Sequence, residues 1–125
     1  AQHLASAGIA QVQDRQQRGK IVSYDRDPLR AAVEVYRGGR RVEPRLPLVR
    51  CPALVIHGGK DRVCPPANAR RVAERLGTRS VETKLYPNSA HLVAADVDRD
   101  LVAEDVARFV DAVAASELPA ATGSA

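Results

Sequence analysis

CPALVIHGGKDRVCPP, residues 51–66, decides how the rest of the chain is read. Cys51-Pro52 leads into Ala53-Leu54-Val55-Ile56-His57, a run that is apolar without alternation. Such a run is expected of a strand buried on both faces of a parallel sheet, where helices cover either side. Gly58-Gly59 turns the chain off the strand, and Asp61 follows. Pro65-Pro66 then opens a helix carrying Ala69, Val72, Ala73 and Leu76, which Gly77 closes. Val81 to Tyr86 reads as the next strand. A strand–helix–strand unit of this length is expected to be a right-handed parallel crossover.

Working outward, the second strand runs into Pro87-Asn88-Ser89-Ala90-His91 and a loop. A helix is expected from about Arg99 to Ala115, with Leu101, Val102, Val106, Phe109, Val110 and Val113 on one broad stripe. Leu118 to Ala125 forms a small, polar tail expected to fray. Upstream, residues 40–50 read as a linker punctuated by Pro44 and Pro47. Before it, Asp27 as N-cap and Pro28 at the first helical position start a helix bearing Leu29, Ala32, Val33 and Tyr36. Gly38-Gly39 is expected to end it. Residues 1–20 are rich in Gln and Ala and suit a helix with a thin apolar face. Two parallel strands do not make a stable sheet alone. Further strands are therefore expected from chain continuation or from a partner that covers the open edge.

The chain has 125 residues, enough for one domain, and 45% of them are hydrophobic. Only 3% are aromatic, and Trp and Met are absent, so the core must be built from Val, Leu, Ile and Ala. A stacking platform for single-stranded nucleic acid is excluded on that ground. The net charge is +4, with the densest arginines at Arg37, Arg40, Arg41, Arg45 and Arg50. Glu34 and Glu43 interrupt them and no recognition motif accompanies them, so a solvated surface is expected rather than a nucleic-acid site. Anion binding through these arginines is a third functional class, and its affinity would fall steeply with salt. Cys51 and Cys64 make no disulfide framework and lack metal-site spacing. They read as reduced thiols of a cytoplasmic protein. No apolar run is long enough to span a membrane, and no signal peptide is legible. A start at Ala1 rather than Met fits processing or a piece of a longer chain.

Asp61 and His91 stand 30 residues apart, each just past the end of a predicted strand. Ligands and catalytic groups gather beyond the carboxyl ends of strands in open parallel sheets. An imidazole can take a hydroxyl proton near neutral pH, and a carboxylate can hold its tautomer and stabilise the imidazolium. Alone, each residue fits a turn or surface role; together they suit the acid and base of a nucleophilic triad. The expected third member, a serine on a Gly-x-Ser-x-Gly turn, is not in the sequence. Ser6 has the nearest context, but Leu4 replaces the first glycine and no strand precedes it. Ser89 reads as a turn residue and His57 as structural. Cys64 lies three residues from the acid but lacks the elbow that a thiol nucleophile would need.

From Leu46 to Val110 the sequence resembles the C-terminal part of the α/β-hydrolase family, in its carboxylesterase, monoacylglycerol-lipase and serine-aminopeptidase-like branch. Residues 51–66 resemble the family's segment bearing the triad acid, with Gly58, Asp61, Val63 and Pro65 at the family's positions. LYPNSAHLVAADVDRDLVAEDVARFV, residues 85–110, resembles the segment bearing the triad histidine. Within it, Asp98-Arg99-Asp100, Glu104-Asp105 and Phe109 are similar to the start of the last helix in bacterial carboxylesterases. Cys64 stands where the family often has an aliphatic residue.

The resemblance implies a partial α/β-hydrolase fold: the last parallel strands, flanking helices and a piece of the lid region. Residues 1–45 would be a helical, lid-derived segment, 46–117 the C-terminal part of the core, and 118–125 a flexible tail. It implies Asp61 as triad acid and His91 as triad base, with the nucleophile and oxyanion hole outside the chain. It implies hydrolysis of a small acyl ester by the complete enzyme, with no metal and no organic cofactor. The expected partner is a missing N-terminal half or a second copy of the chain. The alternative is a non-catalytic hydrolase scaffold, used for protein interaction or as half of a split assembly.

Overall fold

The computed structural model describes residues 3–5, 12–22 and 26–115. In chain order these form β1 (His3–Ala5), α1 (Arg15–Arg18), β2 (Arg26–Pro28), α2 (Leu29–Val42), β3 (Ala53–Gly58), α3 (Ala67–Ala73), β4 (Val81–Tyr86) and α4 (Arg99–Ala114). Short 3₁₀ turns at Glu43–Leu48 and Val93–Ala95 complete the list of elements. β1 and β2 pair antiparallel, and β3 and β4 pair parallel.

The parallel pair is the frame of the molecule. Its register runs from Ala53 opposite Val81 to Gly58 opposite Tyr86, so both strands end at the same level. The Ala53 N–H donates to the Ser80 carbonyl at 2.9 Å and starts the ladder. α3 is the crossover between the two strands and packs on both. Pro65 and Pro66 precede it, as predicted, because a missing N–H costs nothing in a first helical turn. α4 is tied to β4 through Asp105, which accepts from the Tyr86 hydroxyl at 2.8 Å and pairs with Lys84. Arg108 pairs with Glu82 one turn further on. Burial and the Asp105 carboxylate push the Tyr86 phenol up to about 12, so it stays a donor across the neutral range.

Several expectations are corrected. α2 does not stop at Gly38-Gly39 but runs to Val42. Neither glycine adopts a left-handed conformation, and a mid-helix glycine costs only about 1 kcal/mol relative to alanine. The stop comes instead in the segment 43–48, where Pro44 and Pro47 tighten the chain into the 3₁₀ turn. Most of the predicted 40–50 linker is therefore helical. Asp27 and Pro28, expected as N-cap and first helical residue, instead end β2, and α2 begins at Leu29. Residues 1–20 hold β1 and the four-residue α1 rather than one helix. Asp14 caps α1, accepting from Gln16 and Gln17 amides at 2.8 and 3.3 Å, and Arg99 donates to it at 2.8 Å. Ser6 and the tail at 118–125 lie outside the described residues.

β3 is not buried on both faces. Ala53 to His57 are all half-buried, because among the described residues β3 has a strand on one side only. The α4 stripe is only partly covered as well: Val102 is buried, Phe109 and Val113 half-buried, and Leu101, Val106 and Val110 exposed. The buried apolar residues are Val12, Ala69, Tyr86, Ala90 and Val102. Of these, Tyr86 ends β4 and Ala90 lies in the loop that leaves it. Among the described residues no helix is long and apolar enough to cross a membrane.

Gly77 was expected to close α3, but α3 ends at Ala73, and Gly77 serves a different purpose. A Cβ there would lie 1.9 Å from the Pro47 carbonyl oxygen, so the glycine lets the turn before β4 touch the 3₁₀ segment before β3. Gly77→Ala is expected to force these backbones apart and destabilise the chain by about 1–3 kcal/mol. A lower urea midpoint with an unchanged slope would be the sign of it, whereas an unchanged midpoint would mean the contact contributes nothing.

Candidate active site

β3 and β4 end side by side, and the two loops that leave them meet. Gly59 N–H donates to the Tyr86 carbonyl at 2.7 Å, and Lys60 N–H to the Ser89 carbonyl at 2.9 Å. A Cβ on Gly58 would sit 2.0 Å from the Ala90 carbonyl oxygen, a distance no real side chain tolerates. Glycine at the last position of β3 is what lets the loop before His91 come this close to the loop bearing Asp61.

Asp61 and His91, singled out from sequence, are brought into contact. The Asp61 Oδ2 lies 2.9 Å from the His91 Nδ1. An ionised carboxylate only accepts, so Nδ1 carries the proton in that bond. The other ring nitrogen, Nε2, then lies on the side away from Asp61, with its lone pair free in the neutral ring. Asp61 is nearly sealed, with 2% of its side chain exposed, while His91 keeps 34%. The pair thus has a buried acid and an accessible base.

The acid is held from both sides. Its Oδ1 accepts from the Val63 and Cys64 amides at 2.7 and 2.9 Å. These two donors come from the turn that follows Asp61 itself, a local bonding pattern that aspartate favours. Burial pushes the Asp61 carboxyl up; the Cys64 amide, His91 and the Val63 amide pull it further down, and it ends below its ordinary value of 3.8. The anion is therefore the resting form across the neutral range.

His57 is also near the acid. Its Nε2 lies 3.6 Å from the Asp61 Oδ2, and its Nδ1 lies 3.1 Å from the Gly58 carbonyl oxygen. Its position next to last in β3 places a second imidazole near the carboxylate. Cys64 is half-buried and free, and its amide rather than its thiol contacts Asp61. Its side chain instead borders a cavity of ≈ 580 Å³ between α2 and α3, with Tyr36, Leu46 and Val72. Neither Asp61 nor His91 lines that cavity. Among the described residues no group of three or more potential metal ligands converges.

Sequence reading missed the residues that hold the His91 loop. Ser89, read as a turn residue, is fully buried. Its Oγ donates to the Asp98 Oδ2 at 2.8 Å and accepts from the Asp98 amide at 3.1 Å. Asp98 also accepts from the Asn88 amide at 3.2 Å, so it ties the loop down instead of capping α4. Asp96 has no solvent exposure, and its carboxylate accepts only backbone N–H groups. The dense acidic run at 96–100 was the available signal, but it also fits the first turn of a helix.

A model of the family described as "Serine aminopeptidase, S33" matches residues 9–98. The chain belongs to this family of α/β-hydrolases. As a member of it, the chain is 33% identical over 72 residues to the monoacylglycerol lipase of Mycolicibacterium smegmatis, which covers 58% of the chain and 26% of that lipase. It is 26% identical over 90 residues to a thermostable monoacylglycerol lipase from Bacillus sp., covering 72% of the chain and 36% of that protein. A solved structure from work on LipS and LipT, two metagenome-derived lipolytic enzymes, superimposes with a TM-score of 0.69 at 31% identity. That match covers 72% of the chain and 37% of the solved one. The serine aminopeptidase-family chain thus spans between 26% and 37% of the relatives it matches, and its helices and parallel strand pair are part of an α/β-hydrolase fold.

Asp61 and Asp96 both sit below the ordinary carboxyl value in the folded chain. A depressed folded value means that the stability they contribute is complete above the ordinary value and is lost as pH falls through the folded one. The urea midpoint is expected to hold from pH 7 down to about 5 and to fall steeply below about 4. Asp61→Asn removes one of the two groups, so its stability should depend less on pH in that acid window. Parallel curves for both proteins would show that Asp61 is not linked to folding.

Proposed function

We propose that this chain is the acid-and-base part of a serine hydrolase that cleaves carboxylic esters, with Asp61 as triad acid and His91 as triad base. The 2.9 Å contact between a sealed carboxylate and a half-exposed imidazole carries this reading. The nucleophilic serine would come from outside the chain, whose sequence contains no Gly-x-Ser-x-Gly turn. In the complete protein the His91 Nε2 takes the proton from that serine as it attacks the ester carbonyl. The same nitrogen later returns a proton to the leaving alcohol. Asp61 keeps the Nδ1 proton in place and stabilises the imidazolium that forms between these steps. Backbone N–H groups supplied with the serine would stabilise the tetrahedral oxyanion.

A monoacylglycerol or a similar small acyl ester is the favoured substrate, by analogy with the two lipases that the chain is similar to. A carboxylesterase-type reaction in the cytoplasm fits the reading of the sequence. No metal or organic cofactor enters this chemistry.

One observation favours a second reading. Among the described residues β3 has a free edge and half-buried faces, which suits pairing with strands of another polypeptide. On that reading the chain is one half of a split or oligomeric assembly, and its partner supplies the serine, or it is a scaffold with no reaction of its own.

The reading frame upstream of Ala1 separates the two. A strand followed by Gly-x-Ser-x-Gly is expected there, with monoacylglycerol hydrolysis by the extended polypeptide. Asp61→Asn should lower its turnover about 10⁴-fold. His91→Ala should lower it on the order of 10⁶-fold, and the 125-residue chain alone should show no turnover. Ester hydrolysis that survives both substitutions would refute the assignment of acid and base.

A further inference from the structure

We infer that Asp96 is a positioning residue for His91, its buried carboxylate anchoring the loop that presents the imidazole to Asp61. The inference rests on the reading of Asp61 and His91 as acid and base.

Asp96 lies five residues beyond His91, at the far end of the same loop, and has no exposed surface. A buried carboxylate is costly unless its oxygens are bonded. Here they accept from four backbone N–H groups. Oδ1 accepts from Asp14 at 2.8 Å, Val97 at 2.8 Å and Gln13 at 2.7 Å. Oδ2 accepts from Gln13 at 2.8 Å and Ala90 at 2.7 Å. The donors come from three places: the segment before α1, the residue before His91, and the turn into α4. One side chain therefore fastens together stretches 83 residues apart in sequence.

The Ala90 bond is the one that reaches the site. Ala90 is fully buried and is held at both its N–H and its carbonyl. Its N–H is bound by Asp96, and its carbonyl is pressed into the space where a side chain on Gly58 would be. The next residue is His91. With Ala90 held against the end of β3, the His91 Cα has little freedom, and its ring meets Asp61 without a search over loop conformations. Preorganisation of this kind needs a second layer of bonds behind the reacting groups.

A carboxylate suits the task because it only accepts. An amide in its place would turn an N–H₂ toward backbone N–H groups and leave one or more without an acceptor. Burial pushes the Asp96 carboxyl up, but the Ala90, Gln13, Asp14 and Val97 amides pull it further down, and it ends below its ordinary value. Ser89 and Asp98 form a second tie on the same loop, so loss of Asp96 should loosen the His91 end without releasing the whole segment.

The test uses the isotope-labelled chain and solution NMR. In the wild type, the His91 Nδ1 proton should be visible and strongly deshielded by its bond to Asp61. In Asp96→Asn the β3–β4 amides should remain protected while the His91 Nδ1 signal shifts or broadens. Exchange of the Ala90 amide should rise tenfold or more, the expected effect of losing one charge-assisted bond. Asp105→Asn is the control, since it loses a partly buried acid whose bonds go to the Lys84 and Tyr86 side chains rather than to the His91 loop; it should leave the imidazole signal in place. An unmoved His91 signal and unchanged Ala90 exchange in folded Asp96→Asn would overturn the inference. Where Asp96→Asn does not fold, the wild type decides: Ala90 protected as well as β3 supports the inference, and Ala90 exchanging like a free amide overturns it. Failure of the underlying reading looks different. An imidazole signal indifferent to Asp61→Asn would sink the acid–base pair, while Ala90 exchange would still report whether Asp96 holds the loop.

Discussion

At the end of β3 there is no room for a side chain. The Ala90 carbonyl oxygen occupies the space that a Cβ on Gly58 would take. Everything else in the site depends on that approach. It brings a loop that follows β4 into contact with one that follows β3, and so brings residue 91 to residue 61. A Cβ at position 58 would have to push the Ala90 carbonyl back by about 1 Å or more before the contact became tolerable. Parallel pairing from Ala53 opposite Val81 to Gly58 opposite Tyr86 then sets the level at which the loops meet.

Two buried aspartates do different work around this contact. Asp61 shares its oxygens between its own turn and an imidazole, so half of its bonding is local and half is directed at His91. Asp96 gives all of its bonds to backbone amides and none to a side chain. One bonds an imidazole, and the other bonds the backbone of the loop that carries it. Both stay ionised for the same reason: several fixed N–H dipoles outweigh the cost of burial. Ser89 and Asp98 add a hydroxyl–carboxylate link to the same loop. The loop at 87–98 is thus held along most of its length by short polar bonds rather than by apolar packing.

Much of this frame was legible in the residue order. The unalternating run at 53–57 and the strand at 81–86 were read correctly, with the proline-led helix between them and the helix from Arg99. Asp61 and His91 stood out because strand-end positions gather polar groups in parallel sheets, and the structure brings them into contact. What was not legible depends on partners far apart in sequence. Asp96 reads as an ordinary acid near a helix start until Gln13 and Asp14 are seen to bond it. Gly77 reads as a helix terminator until the Pro47 carbonyl is seen beside it. Gly38-Gly39 misled for the opposite reason: a local signal for ending a helix was outweighed by the segments on either side of it.

The half-buried state of β3 shows how unevenly this chain divides its two tasks. Its apolar run suits a strand covered on both faces, yet among the described residues one edge has no strand beside it. Burial on a sheet is a property of the whole sheet, and no two strands can supply it. The Asp61–His91 contact, by contrast, is built within residues 53–91: one strand, one crossover helix, a second strand and a loop. Its bonds are polar and close within that stretch, apart from the ties through Asp96 and Asp98 just beyond it and, through Asp96, to residues 13 and 14. Among the described residues the apolar faces of β3 and α4 are only partly covered, while the geometry of the Asp61–His91 contact is built in locally. A carboxylate–imidazole pair made this way can be carried intact by a small part of a fold, even where the core around it is thin.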